Sequence, residues 1–180
     1  MKKIGILLIL AFVTLNVMAQ TWVGVTTRDV NFREGPSVDY DIIRRLPKNT
    51  ALFINSEDEV NGFYLAVDIE NDVEGYVSKN FVKHYKTIEK AKGASIQSVG
   101  SSTSYNPDIE IQNNTDVSMT LRINTQTYKF SPHEKRTITI SPGRFTYRAS
   151  SPGVIPVSGS YNAESNNSYQ WVFFITTGRR

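Results

Sequence analysis

The 180-residue sequence contains no cysteine. Disulfides, a thiol nucleophile, thiolate-bound zinc and a lipid-modified N-terminal cysteine are therefore excluded, and each folded core must hold by packing alone. Histidine is almost as scarce. His84 and His133 are the only two, and neither has a second ligand at metal-binding spacing, which removes a zinc site from consideration. Charge of one sign is also lacking: 20 basic against 17 acidic side chains leave +3. No basic stripe exists to neutralise phosphates, so nucleic acid is not an expected partner. The sequence has no Gly-x-Ser-x-Gly elbow and no phosphate loop. Asp108 and Glu110 fall on one strand face and are the nearest approach to a catalytic carboxylate pair. Such a pair must flank a substrate cleft, and small β modules provide little cleft. No catalytic residue, metal ligand or cofactor is expected.

Long hydrophobic runs are missing too, except at the start. Lys2 and Lys3 precede an apolar stretch from Ile4 to Val17, and Val17-Met18-Ala19 offers acceptable residues for cleavage before Gln20. Residues 1–19 thus read as a signal peptide. The run contains Thr14 and Asn16 and falls short of the roughly 20 apolar residues a spanning helix needs. No transmembrane segment is expected after its removal. The expected location is exported: periplasm, cell surface or secreted.

The remainder divides in two. Residues 22–86 alternate short apolar runs with turn signals at Glu34-Gly35-Pro36-Ser37, Glu57-Asp58-Glu59, Asn61-Gly62 and Asn71-Asp72. About five short strands at this spacing predict a small barrel. Residues 87–104 become rich in Ser and Gly beyond Gly93, the composition of a flexible linker. Residues 105–180 return to period-two patterning in Ile109/Ile111, Met119/Leu121/Ile123, Tyr128/Phe130, Ile138/Ile140 and Phe145/Tyr147/Ala149, with a dense apolar run from Trp171 to Ile175. About seven strands without a helical period predict a β-sandwich. The expected fold is therefore all-β: signal peptide 1–19, barrel 20–86, linker 87–104 and sandwich 105–180. Residues 21–86 carry 8 basic and 11 acidic side chains, and residues 105–180 carry 8 and 5, so the halves have opposite sign.

Asn31-Phe32-Arg33-Glu34-Gly35-Pro36-Ser37 resembles the hallmark Asn-Val-Arg-x-Gly-Pro-Ser of bacterial SH3 domains. The supporting segments follow in order: Ile42-Ile43 and Leu46, Lys48-Asn49-Thr50, Gly62-Phe63-Tyr64, Gly75-Tyr76-Val77-Ser78 and Phe81-Val82. The resemblance covers residues 22–86. Three departures stand out. Phe63 and Tyr76 occupy positions where the family usually has Trp. Asn49 replaces a common Gly, and Phe63 to Val67 is one residue longer than usual, which predicts a bulge.

The resemblance implies an SH3-like barrel that binds peptidoglycan peptides or protein segments. Candidate ligand-binding residues are Tyr40, Phe63, Tyr64 and Tyr76, with Asp39, Asp41 and Arg33 as polar neighbours. Each aromatic has core packing as its alternative, and Arg33 has bracing of the turn. The second half more weakly resembles small β-sandwich domains of exported bacterial proteins. There Tyr128, Tyr147, Tyr161 and Trp171 are read chiefly as core, with a binding surface as the alternative. The expected function is a non-catalytic binding protein whose partner is a cell-wall peptide or an envelope protein. The alternatives are a structural or regulatory envelope protein acting through the sandwich, or an inhibitor of a wall hydrolase.

Overall fold

The computed structural model describes residues 21–56, 58–88 and 94–174. The expected signal peptide, 1–19, lies outside them. All regular structure among the described residues is strand, apart from one 3-10 turn at Lys79–Phe81.

The first module consists of β1 (Trp22–Thr26), β2 (Val30–Arg33), β3 (Ile42–Leu46), β4 (Ala51–Ile54), β5 (Phe63–Asp68), β6 (Val73–Ser78) and β7 (Val82–Thr87). They form one sheet in the order β3-β2-β6-β5-β4-β1-β7, which wraps around a core of Trp22, Val30, Phe32, Leu46, Leu52, Ile54, Ala66 and Val77. The wrap demands a close approach at Gly75. A Cβ there would meet the Arg33 carbonyl at 2.9 Å and Ile43 Cδ1 at 2.8 Å, so only glycine lets β6 lie this close to β2. The substitution of Gly by Asn49 is explained by its backbone. Asn49 has φ +68°, a left-handed conformation that asparagine tolerates better than other side chains. The bulge expected in Phe63 to Val67 does not occur, and β5 pairs with β6 in continuous register from Phe63↔Ser78 to Asp68↔Val73. The reason lies just upstream. Val60 and Phe63 exchange both backbone hydrogen bonds around Asn61 (φ +52°) and Gly62 (φ +80°). This is a two-residue loop of the I′ kind, which fixes register and leaves no room for an extra residue.

The second module contains β9 (Asp108–Asn113), β10 (Met119–Ile123), β11 (Gln126–Phe130), β12 (Lys135–Thr139), β13 (Gly143–Ser151), β14 (Val154–Ala163) and β15 (Asn167–Phe173), preceded by β8 (Ala94–Ser101). Two four-stranded sheets, β11-β10-β13-β14 and β12-β9-β15-β8, share one core around Ile109, Ile111, Leu121, Phe130, Phe145 and Trp171. Tyr128, Tyr147, Tyr161 and Trp171 all belong to or pack against that core. β9 and β15 pair in parallel, while the remaining pairs in this module are antiparallel.

The expected linker is corrected in part. Residues 94–101 are β8, an edge strand paired with β15 from Phe173↔Ala94 to Asn167↔Ser101. Backbone hydrogen bonding recruits a Ser/Gly-rich stretch that has little apolar surface to contribute. Residues 89–93 of that linker lie outside the described residues.

The modules meet face to face. On β4, Leu52 and Ile54 point into the barrel, yet the intervening Phe53 is only 1% exposed. It lies with Val23, Val67 and Ile69 on the barrel's outer face, with Ile88 and with Ile155 of the sandwich packed against them. Polar contacts surround this patch. Gly153 N–H donates to the Ile69 carbonyl at 2.8 Å, and the Thr120 hydroxyl donates to Asp72 at 2.7 Å. Glu74 accepts from Arg122 and from Arg148, each at 2.5 Å.

Candidate functional site

Strand alternation places the residues of β5 on two faces. Tyr64 and Ala66 turn inward to the barrel core, while Val67 lies in the outer patch beneath the sandwich. Phe63, of the same parity as Val67, faces a surface groove of about 630 Å³. The hairpin tip Asn61-Gly62 and Phe63 line this groove. Phe81, Ser78 and Asn80, at and around the 3-10 turn, continue it. The rest of the lining comes from the segment Arg28 to Asn31, from Arg33 and Arg45, and from Val38 in the loop between β2 and β3.

The loop over residues 34–41 is held at both ends. Arg33 Nη1 donates to the Tyr40 carbonyl at 2.7 Å, and Glu34 N–H donates to the Asp41 carbonyl at 3.0 Å. Ser37 donates its hydroxyl to Asp39 at 2.8 Å and accepts from the Asp39 N–H. Tyr40 lies across Gly35, where a Cβ would come within 2.4 Å of the ring. The glycine of the Gly-Pro-Ser segment is thus explained by packing, since it makes room for the tyrosine that follows.

Three guanidinium groups border the groove and are held differently. Arg28 lies over the Phe81 ring at 5.3 Å, a cation–π arrangement. Arg45 faces Asp29 at 3.5 Å. Arg33 is tied to the loop as above. Among the described residues neither Arg28 nor Arg33 pairs with a carboxylate.

Of the residues expected to bind ligand, the groove includes Phe63 and Arg33. Arg33 also braces the turn through its bond to the Tyr40 carbonyl, the role weighed against ligand contact. Tyr40 is half-exposed over Gly35, and Asp39 and Asp41 are exposed on the same loop. None of these three lines the groove. Tyr64 meets Trp22 edge-on at 5.5 Å and packs against the barrel core. Tyr76 is half-buried on β6, paired with Arg33 of β2, and does not line the groove either. Arg28, Asp29, Val38, Arg45, Asn80 and Phe81 were not among the residues expected to bind ligand, although Phe81 belongs to the Phe81-Val82 segment of the resemblance. They lie on separate segments that only the wrapped sheet brings together.

The carboxylate pair considered for catalysis is engaged elsewhere. Asp108 accepts from Thr139 at 2.5 Å. Glu110 accepts from Lys135 at 2.8 Å and from Gln170 at 2.9 Å. Those hydrogen bonds hold the Glu110 carboxyl below its ordinary value, the opposite of what a general acid needs. His84 stacks on Trp22 at 5.1 Å and His133 contacts Asp116 at 2.9 Å. No group of three or more potential metal ligands occurs among the described residues, and no helix among them is long and apolar enough to cross a membrane.

No curated protein and no solved structure matches the chain. Residues 28–83, which contain most of the barrel and every lining residue of the groove, match the family model of the bacterial SH3 domain, typically a binding domain.

Proposed function

We propose that the chain is an exported, non-catalytic binding protein whose barrel groove holds an extended peptide, foremost a peptidoglycan stem peptide. The groove carries this reading. Phe63 and Phe81 offer apolar ring surface, Asn61 and Asn80 offer side-chain amides, and Arg28, Arg33 and Arg45 offer directed donors. Aromatic ground with a few convergent polar groups is the usual composition of a small-ligand or peptide site. Bacterial SH3 domains bind peptide or cell-wall ligands and occur in exported proteins, which supports the same reading. The sandwich braces the barrel from the face opposite its core.

The test is chemical-shift mapping on the isotopically labelled full chain, titrated with a soluble peptidoglycan stem peptide. Amide shifts clustered at Asn61, Phe63, Asn80 and Phe81 are expected. Shifts confined to the sandwich would move the binding role to that module and favour a protein partner.

A further inference from the structure

The groove's charge differs from that of the module that contains it. Residues 21–86 carry 8 basic and 11 acidic side chains, yet among the described residues the groove is bordered by three arginines and a single carboxylate, Asp29. A net positive pocket on an acidic module is not a by-product of composition. Its arginines are also held in place, Arg33 by the Tyr40 carbonyl and Arg28 by the Phe81 ring. Each guanidinium has five N–H donors. The Arg33 bond to Tyr40 engages one nitrogen, so donors remain for a ligand. Held guanidinium groups beside aromatic rings are suited to a planar anion, which they can bind through paired N–H···O bonds.

We infer that the groove recognises its peptide by a free carboxylate, with Arg28 and Arg45 as the anion contacts and Phe63 as the apolar floor. This rests on the peptide-binding reading above and specifies the ligand's chemistry. Asp29, 3.5 Å from Arg45, orients that guanidinium and yields part of the contact to the ligand carboxylate. Neutral peptides of the same length lose the anion contact and keep only ring stacking and amide hydrogen bonds.

The test uses fluorescence anisotropy on the full chain with two probes: a labelled stem tetrapeptide, and the same peptide with every carboxylate converted to a primary amide. The acid form is expected to bind at least about tenfold more tightly and to weaken as salt rises from about 50 to about 500 mM, as an exposed charge contact should. Arg28→Ala and Arg45→Ala are expected to remove this preference, while Phe63→Ala weakens both peptides alike. Circular dichroism and thermal melts of each variant identify any loss of fold. Equal affinity for acid and amide would overturn the carboxylate inference and leave the peptide groove standing. Binding of neither peptide would overturn the peptide groove and the inference with it. Acid-selective binding that survives in folded Arg28→Ala and Arg45→Ala proteins would place the anion contact elsewhere and overturn the inference.

Discussion

Glu74 shows how one residue decides an interface. Arg122 and Arg148 face each other directly across β10 and β13, and like charges in that position are destabilising. The pair is tolerable because Glu74 of the barrel sits between them, with one carboxylate oxygen for each. Glu74→Gln removes the compensating charge and leaves two guanidinium groups together, one of them largely buried. The expected cost is about 1–3 kcal/mol, read as a shift in denaturant midpoint. Arg122→Gln in the same background should recover part of it, since one source of repulsion is gone. An additive double mutant would mean that the three charges are not coupled. Nothing in the sequence points to this triad. The opposite signs of the halves were legible, but the residues that meet were not, because Glu74 and Arg148 come together only through the packing of separate sheets.

At the scale of elements, what could be read depended on side-chain burial. Strands with one face in a core, such as Met119–Ile123, alternate plainly. The run Ala51–Ile54 does not alternate, because Phe53 is covered by the second module. β8 was hidden for the opposite reason: its pairing is a backbone matter and its Ser/Gly content resembles a tether. The parallel pairing of β9 with β15 leaves no local sequence signature at all. The Asn61-Gly62 loop was legible as a turn, and it positions Phe63. Gly62 has φ +80°, so Gly62→Ala should cost about 1–2 kcal/mol and weaken peptide binding by displacing Phe63. Retained affinity with lowered stability would separate the turn from the groove.

The sandwich also has a pH signature. Burial raises the Tyr147 phenol above its ordinary value, and burial together with Tyr169 and Glu164 does the same for Tyr161. A raised phenol favours the folded state fully below its unfolded value, near pH 10.0, and loses that contribution as pH rises through the folded value. The lowered Glu110 acts in reverse, contributing above the ordinary value near 4.5 and losing it as pH falls through its folded value. The melting temperature should therefore decline above pH 10, and less steeply in Tyr147→Phe. An unchanged alkaline slope in that variant would remove Tyr147 from the account.

For the whole molecule, the barrel and sandwich form one unit, since a buried apolar patch and a shared carboxylate join them. Fully burying a phenylalanine is worth about 1.5–3 kcal/mol, a large share of the stability of a module this small. Calorimetry of the full chain should give one cooperative transition, and Ile155→Asp, which puts a charge against the patch of Val23, Phe53, Val67 and Ile69, should split it in two. The general plan of barrel plus sandwich was legible because repeated strand patterns and the Asn-Phe-Arg-Glu-Gly-Pro-Ser segment are local. The groove was only half legible. Phe63, Arg33 and Phe81 lie in motif segments, whereas Arg28 and Arg45 join them only when the sheet wraps.

The central claim is that the barrel groove is the binding site, and the most direct test is co-sedimentation of the full chain with purified peptidoglycan. Wild-type protein should pellet with the wall material. Folded Phe63→Ala should stay in the supernatant, while Tyr40→Ala, outside the groove, should still pellet if its loop remains folded. A wild-type chain that does not pellet, or a folded Phe63→Ala chain that pellets as well as wild type, would contradict the account.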